Sequence, residues 1–177
     1  MIDPVPLYST TIPLAFFIWG PVFVVLLYWL VGFWSNRQGV PRMLESDWDG
    51  YSVADVEKLF SLYGETRRAR YRNRVLPADV ACAFTYAIVG AILIAGLTTR
   101  GQPLWVAVLC GGGWLIGGLC DVAENLAVAR LLDRYPRVAA GDVAFASAMT
   151  RLKLVFFSLG VIGALVAAYL AFRPLAA

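Results

Sequence analysis

The chain has no histidine, and only two of its 15 basic residues, Lys58 and Lys153, are lysines. Without imidazole there is no Ser–His or Cys–His catalytic pair and no His-ligated metal site. Cysteine is also scarce. Cys82, Cys110 and Cys120 lie in apolar runs without C-x-x-C spacing, a distribution of packed thiols rather than a redox pair or zinc site. Charged residues make up only 15% of the chain, against 60% hydrophobic ones. Soluble domains carry roughly 45–50% apolar residues, so the composition is that of an integral membrane protein. The net charge of +3 is modest and its basic residues mostly flank apolar runs, which points to no nucleic-acid partner.

What the chain does have is four long apolar runs. Pro13 to Trp34 is 22 residues without a charge, enough to cross a hydrocarbon core of about 30 Å. No basic stretch precedes it, Asp3 being the one early charge, so it is expected as a retained span rather than a signal peptide. Further spans are expected over 77–99, 103–132 and 143–172. The fold class that follows is all-α: a single membrane domain over 1–177, built as a four-helix up-down bundle. An amphipathic cytoplasmic helix is expected between the first two spans, within segment 35–76.

That helix has its own signals. Ser52 is placed to cap it, with Asp55 at the third helical position, a relative of the capping box. Val53, Val56, Leu59, Phe60 and Tyr63 share one face, while Asp55, Glu57 and Lys58 take the other. Gly64 should break or end it. Arg67, Arg68, Arg70, Arg72 and Arg74 follow, with Tyr71 among them. They suit a basic stop signal beside lipid phosphates; the functional alternative is that Arg72 or Tyr71 reaches a substrate headgroup.

The third run carries the most informative stretch. Asp121, Glu124 and Asn125 stand at i, i+3 and i+4 and so lie on one helical face. A charge deep in a bilayer costs roughly 2.5–3.5 kcal/mol on insertion scales. Two within one turn must face protein, water or a ligand. Gly117, Trp114 and Cys110 continue that face within about 40° at 100° per residue. A helix–helix hydrogen-bond site, with Gly for close packing, is the alternative reading. In the second run Asp79 and Tyr86 share a face; in the fourth, Thr150 and Lys153 do, continued by Phe157 and Gly160. Arg151 points about 160° away from Lys153.

Basic residues set the orientation. Segment 35–76 holds eight Arg or Lys, the third loop holds Arg134 and Arg137, and the second loop holds only Arg100. The first and third loops are therefore expected in the cytoplasm and both termini outside. Glu124 and Lys153 lie about equally far along the chain from Arg137, which in an antiparallel hairpin means similar depth. Asp79, Asp121, Glu124, Asn125 and Lys153 then converge in the inner-leaflet half, with Tyr86, Trp114 and Thr150 on the wall of the same pocket.

The set of polar residues resembles a family of small bacterial four-span membrane proteins with a D-x-x-E-N motif in the third span. The match runs through Gly64, an Arg at 67 or 68, Tyr71, Asp79, Tyr86, Asp121, Glu124, Asn125, Thr150 and Lys153. The chain departs from the pattern in lacking a Pro after Asp79 and an aromatic residue after Lys153. The resemblance places the chain in a bacterial inner membrane and supplies no activity.

The chemistry therefore has to come from the cluster. Three carboxylates face one ammonium, so one carboxyl held neutral beside one held charged would form an acid/base pair. Glu124 and Asp121 are the candidate catalytic acids, Lys153 their counter-ion, and Asp79 the third carboxylate. Asn125, Tyr86, Trp114, Thr150, Tyr71 and Arg72 are candidate substrate-binding groups. This suits an enzyme acting on a lipid or other hydrophobic substrate, needing no cofactor. A variant would act at a phosphate headgroup with a metal ion on the acids. The same pocket also suits a ligand-binding or proton-coupled transport protein, for which four spans would call for a homodimer. A third reading is a structural polar network that sets helix register. Orientation is testable: cysteines placed in segment 35–76 should resist impermeant thiol reagents added from the periplasmic side, and labelling there would reverse the topology.

Overall fold

A computed structural model of the chain describes residues 14–40, 43–44, 48–99 and 101–172. Asp3, Pro13 and Arg100, used above for the termini and the second loop, lie outside the described residues. The fold is all-helical: α1 (Leu14–Arg37), α2 (Val53–Arg70), α3 (Leu76–Thr99), α4 (Leu104–Arg134) and α5 (Ala140–Phe172). Three helical stretches, Val53–Thr99, Leu104–Arg134 and Ala140–Val166, are long and apolar enough to cross a membrane. Among the described residues, the apolar part of α1, Val22–Arg37, is shorter. Phe84 and Ile88 on α3, Leu119 and Leu126 on α4, and Val155 and Leu165 on α5 are exposed. Apolar faces this extensive have a lipid as their natural solvent.

Ser52 and Asp55 start α2 with a full reciprocal box. Ser52 Oγ accepts from the Asp55 N–H at 3.3 Å, and the Ser52 N–H donates to Asp55 Oδ2 at 2.8 Å. Gly64 breaks the helix, with φ 60° and ψ 179°, a region open mainly to glycine. The break is local, however. The helix resumes at once and runs through a π-helical turn, Tyr71–Val75, into α3. The basic stretch is thus helix rather than connecting segment, and the helix that carries the second apolar run begins before Pro77. Pro77 has no N–H to give the carbonyl four residues back and its ring crowds that carbonyl. The π turn just upstream, where the Leu76 N–H reaches Tyr71 O, widens the helix at that point.

α4 is the central helix, packed along α3 on one side and α5 on the other, while α1 leans on α3 and the π turn. Glycines permit the close approach. A Cβ on Gly90 would come within 2.5 Å of Gly111 O, and one on Gly113 within 2.5 Å of Phe156 O. Small residues at the contact let backbones meet where lipid offers no hydrophobic drive.

Two apolar clusters result. One joins Val56, Phe60 and Tyr63 of α2 with Tyr71, Val75, Ala127, Val128, Leu131, Val143 and Ala146. The apolar face of α2 therefore sits on the ends of α4 and α5; the Phe60 ring meets the edge of Tyr135 at 5.8 Å, and the Arg68 guanidinium lies 4.5 Å from the Tyr135 ring centre. The other cluster joins Val24 and Val31 of α1 with Cys82, Tyr86, Leu93, Cys110 and Trp114. The segment before α2 is tied to α5: the Tyr51 N–H donates to Ser147 Oγ at 3.1 Å, and Arg151 Nη2 donates to Asp49 O at 2.6 Å. Arg151 thus points away from Lys153, as its spacing predicts, and meets another segment of the protein.

The glycine contacts give a paired test. A Cβ at Gly111 would lie 2.5 Å from Ile94 Cγ1 and 2.8 Å from Ile94 N, whereas at Gly112 its nearest neighbour is Val108 Cγ1 at 3.5 Å. Gly111→Ala should lower stability by about 1–3 kcal/mol through overpacking. Gly112→Ala should be neutral or gain up to about 1 kcal/mol. Unfolding of both variants in detergent measures the contrast.

Candidate functional site

The polar residues form a layer between the two apolar clusters. From the π turn into α3, Val75 and Leu76 belong to one cluster and Cys82 and Tyr86 to the other, with Asp79 between. On α4 the order is Trp114, then Asp121, Glu124 and Asn125, then Ala127 and Val128. On α5 it is Val143 and Ala146, then Thr150 and Lys153, then Phe157. Each helix thus contributes its polar residues at the same level, the depth match expected from chain distances.

The layer is closely bonded. Lys153 Nζ lies 2.9 Å from Asp121 Oδ1 and 2.7 Å from Glu124 Oε2. Lys153 is 5% exposed and Glu124 1%, so the ammonium is held between two carboxylates out of solvent. Thr150 Oγ1 donates to Glu124 Oε1. Asn125 Nδ2 donates to Asp79 Oδ2 at 2.8 Å, to Asp121 O at 3.0 Å and to Asp121 Oδ1 at 3.3 Å. One amide therefore ties α3 to α4. Cys82 Sγ and Tyr86 Oη are 2.8 Å apart, and the Tyr86 ring meets Phe157 edge-on at 5.3 Å. Trp114 lies 5.7 Å from Phe157, and its buried Nε1 has no hydrogen-bond partner among the described residues.

Beside this layer is a cavity of about 330 Å³. Val24, Val25, Tyr28 and Trp29 of α1 form one wall and Leu154, Phe157 and Val161 of α5 the other. Tyr86 and Trp114 form the back, Trp48 stands at the edge, and Asp121 and Lys153 are its ionisable residues. Trp29 and Trp48 are 75% and 74% exposed. The opening is therefore lateral, between α1 and α5, with tryptophans at its rim. Such a mouth faces the side of the helix bundle.

Asp79, Asp121, Glu124, Asn125, Thr150 and Lys153 are brought into one bonded cluster, and Tyr86 and Trp114 onto the adjoining wall. Only Asp121 and Lys153 of the four candidate catalytic residues line the cavity. Glu124 sits behind Lys153, and Asp79 behind Asn125. Two candidates fall elsewhere. Tyr71 is buried in the other apolar cluster, where its Oη accepts from the Leu44 N–H at 3.2 Å. Arg72 pairs with Asp133 through bonds of 2.9 and 3.1 Å; this exposed pair is worth at most about 1 kcal/mol. Tyr28, Trp29 and Trp48 were missed. Their only sequence signal was aromaticity near a span end, which ordinary interfacial anchors share. Among the described residues, no group of three or more His, Cys, Asp or Glu could hold a metal ion; the carboxylates are turned towards Lys153 and Asn125 instead.

Removing one partner of a buried ion pair leaves the other charge uncompensated, at about 3–5 kcal/mol. Lys153→Met should destabilise the protein on that scale. Adding Glu124→Gln should recover part of the loss, because the two changes remove opposite charges. A double-mutant cycle by detergent unfolding reads the coupling, expected at about 0.5–3 kcal/mol; strict additivity would count against the pair.

The chain matches no protein-family profile, no curated protein and no solved structure, so the function has to be argued from the cavity and the polar layer behind it.

Proposed function

We propose that this chain is a four-span protein of the bacterial inner membrane, termini outside, that admits a lipid-like molecule from the bilayer and exchanges protons with its polar end. The proposal includes membership of the small four-span family suggested by the motif set. One observation carries the functional reading: a laterally open apolar and aromatic cavity with a buried carboxylate and ammonium on its lining. Binding sites of this kind are largely apolar, with a few convergent polar groups that fix orientation. Intramembrane charges are costly enough to imply a use.

In this reading Asp121 and Lys153 are the catalytic residues, since they alone of the charged cluster face an occupant. Asp121 takes a proton from the substrate and Lys153 returns one at another atom, a rearrangement that needs no further reactant. Their 2.9 Å contact lets the proton pass back and resets the pair. Glu124 and Thr150 position Lys153; Asn125 and Asp79 position Asp121. The positive-inside asymmetry of the loops supports the orientation, and the uncharged length of 13–34 supports a fourth span.

The test is to purify the protein, extract its co-purifying lipids, and incubate wild type and Asp121→Asn with them in heavy water. Deuterium should enter one lipid class at carbon with wild type, and Asp121→Asn should abolish incorporation while retaining its fold. Bound lipid without exchange would favour the ligand-binding or proton-coupled transport reading. No bound lipid, with only stability lost in the variant, would leave a structural polar layer.

A further inference from the structure

We infer that the occupant of the lateral cavity is a cationic amphiphile, with an ammonium head against Asp121 and an apolar chain leaving between α1 and α5. The inference rests on the cavity being a ligand site, as proposed above, and goes on to the sign of the ligand's charge.

The polar groups on the cavity lining decide the sign. Lys153 already meets two carboxylates, at 2.9 and 2.7 Å, so its positive charge is answered twice. Among the described residues both contacts of the Asp121 carboxylate use Oδ1, which leaves Oδ2 as the oxygen available to an occupant. A carboxylate oxygen only accepts hydrogen bonds, so the occupant must bring a donor or a positive charge. The wider charge count agrees. Asp79, Asp121 and Glu124 face a single lysine within one bonded cluster. A cation entering beside Asp121 moves that cluster towards neutrality; an anion moves it further away.

The walls point the same way. Tyr28, Trp29 and Trp48 stand around the mouth, and Tyr86, Trp114 and Phe157 line the interior. Aromatic faces attract an ammonium through the ring quadrupole, and cages of this composition are the usual receptors for alkylated amines. An uncharged chain would need no such concentration of rings; aliphatic side chains would serve it as well. At about 330 Å³ the cavity is at the small end of the roughly 300–1,000 Å³ range of ligand pockets. It suits a head group and the start of one chain. Exposed Val25 and Val161 on the two sides of the opening give the rest of that chain an apolar exit.

The experiment compares three amphiphiles with the same twelve-carbon chain, namely dodecyltrimethylammonium, dodecanol and dodecyl phosphate. Each is titrated into the purified protein in a non-ionic detergent, and bound ligand is counted by native mass spectrometry. Dodecyltrimethylammonium should bind at least about tenfold more tightly than dodecanol, with dodecyl phosphate weakest. Asp121→Asn should remove the preference for the ammonium and leave dodecanol binding in place. Should Asp121→Asn fail to fold, Trp29→Ala on the exposed rim decides, and it should weaken the ammonium more than the alcohol. Equal binding of ammonium and alcohol, or a preference for the phosphate, overturns the cationic assignment while the cavity reading stands. Failure of all three to bind wild type overturns the cavity reading, and the assignment with it.

Discussion

Lys153 is the constraint to which the rest of the structure answers. An ammonium this deep in an apolar helix bundle must find a countercharge, and it finds two, Asp121 and Glu124, on the neighbouring helix. That fixes the register of α4 against α5. The close backbone approach at Gly113 is what brings a lysine on one helix within bonding reach of acids on the other. Asn125 then carries the tie from Asp121 to Asp79, so the third helix is fixed at the same level. Three helices are held in register by one ammonium and one amide.

The polar layer also divides the molecule. On one side the apolar face of α2 caps the ends of α4 and α5; on the other, α1, α3 and α4 share a separate apolar cluster. Because α1 packs on α3 and the π turn rather than along α5, the helices do not close around α4. The gap left is the cavity, and the polar layer supplies its charged lining. Trp48 reaches the same edge because Tyr51 and Asp49 are bonded to Ser147 and Arg151 of α5. Residues 48–51 thus help shape the entrance.

Burial costs explain which residues could be read correctly from the chain. Asp121, Glu124 and Lys153 stood out because a charge in an apolar run has few tolerable environments. Tyr71 and Arg72 were ambiguous because a basic, aromatic stretch serves equally well as a surface anchor, a ligand clamp or part of a core. Arg72 is explained by Asp133, 61 residues away in sequence, a partner no local pattern reveals. The continuation of α2 past Gly64 was hidden for a related reason. Glycine signals a break in the backbone path, but whether the helix then resumes depends on contacts made further along, here the Arg68 guanidinium over the Tyr135 ring and the buried Tyr71.

The sequence by itself determined that the protein is helical and apolar enough for a membrane, where its apolar runs lie, and which polar residues must be kept from lipid. Those follow from composition, periodicity and the cost of burying charge, all local properties of the chain. Only the tertiary structure decided that Asp121 and Lys153 face the cavity while Glu124 and Asp79 stand behind them. It alone recruited Tyr28, Trp29 and Trp48 to the rim, and it turned the opening sideways. Each of these depends on how helices distant in sequence are rotated and spaced around α4, and a single helix's pattern carries no information about the neighbour it will meet.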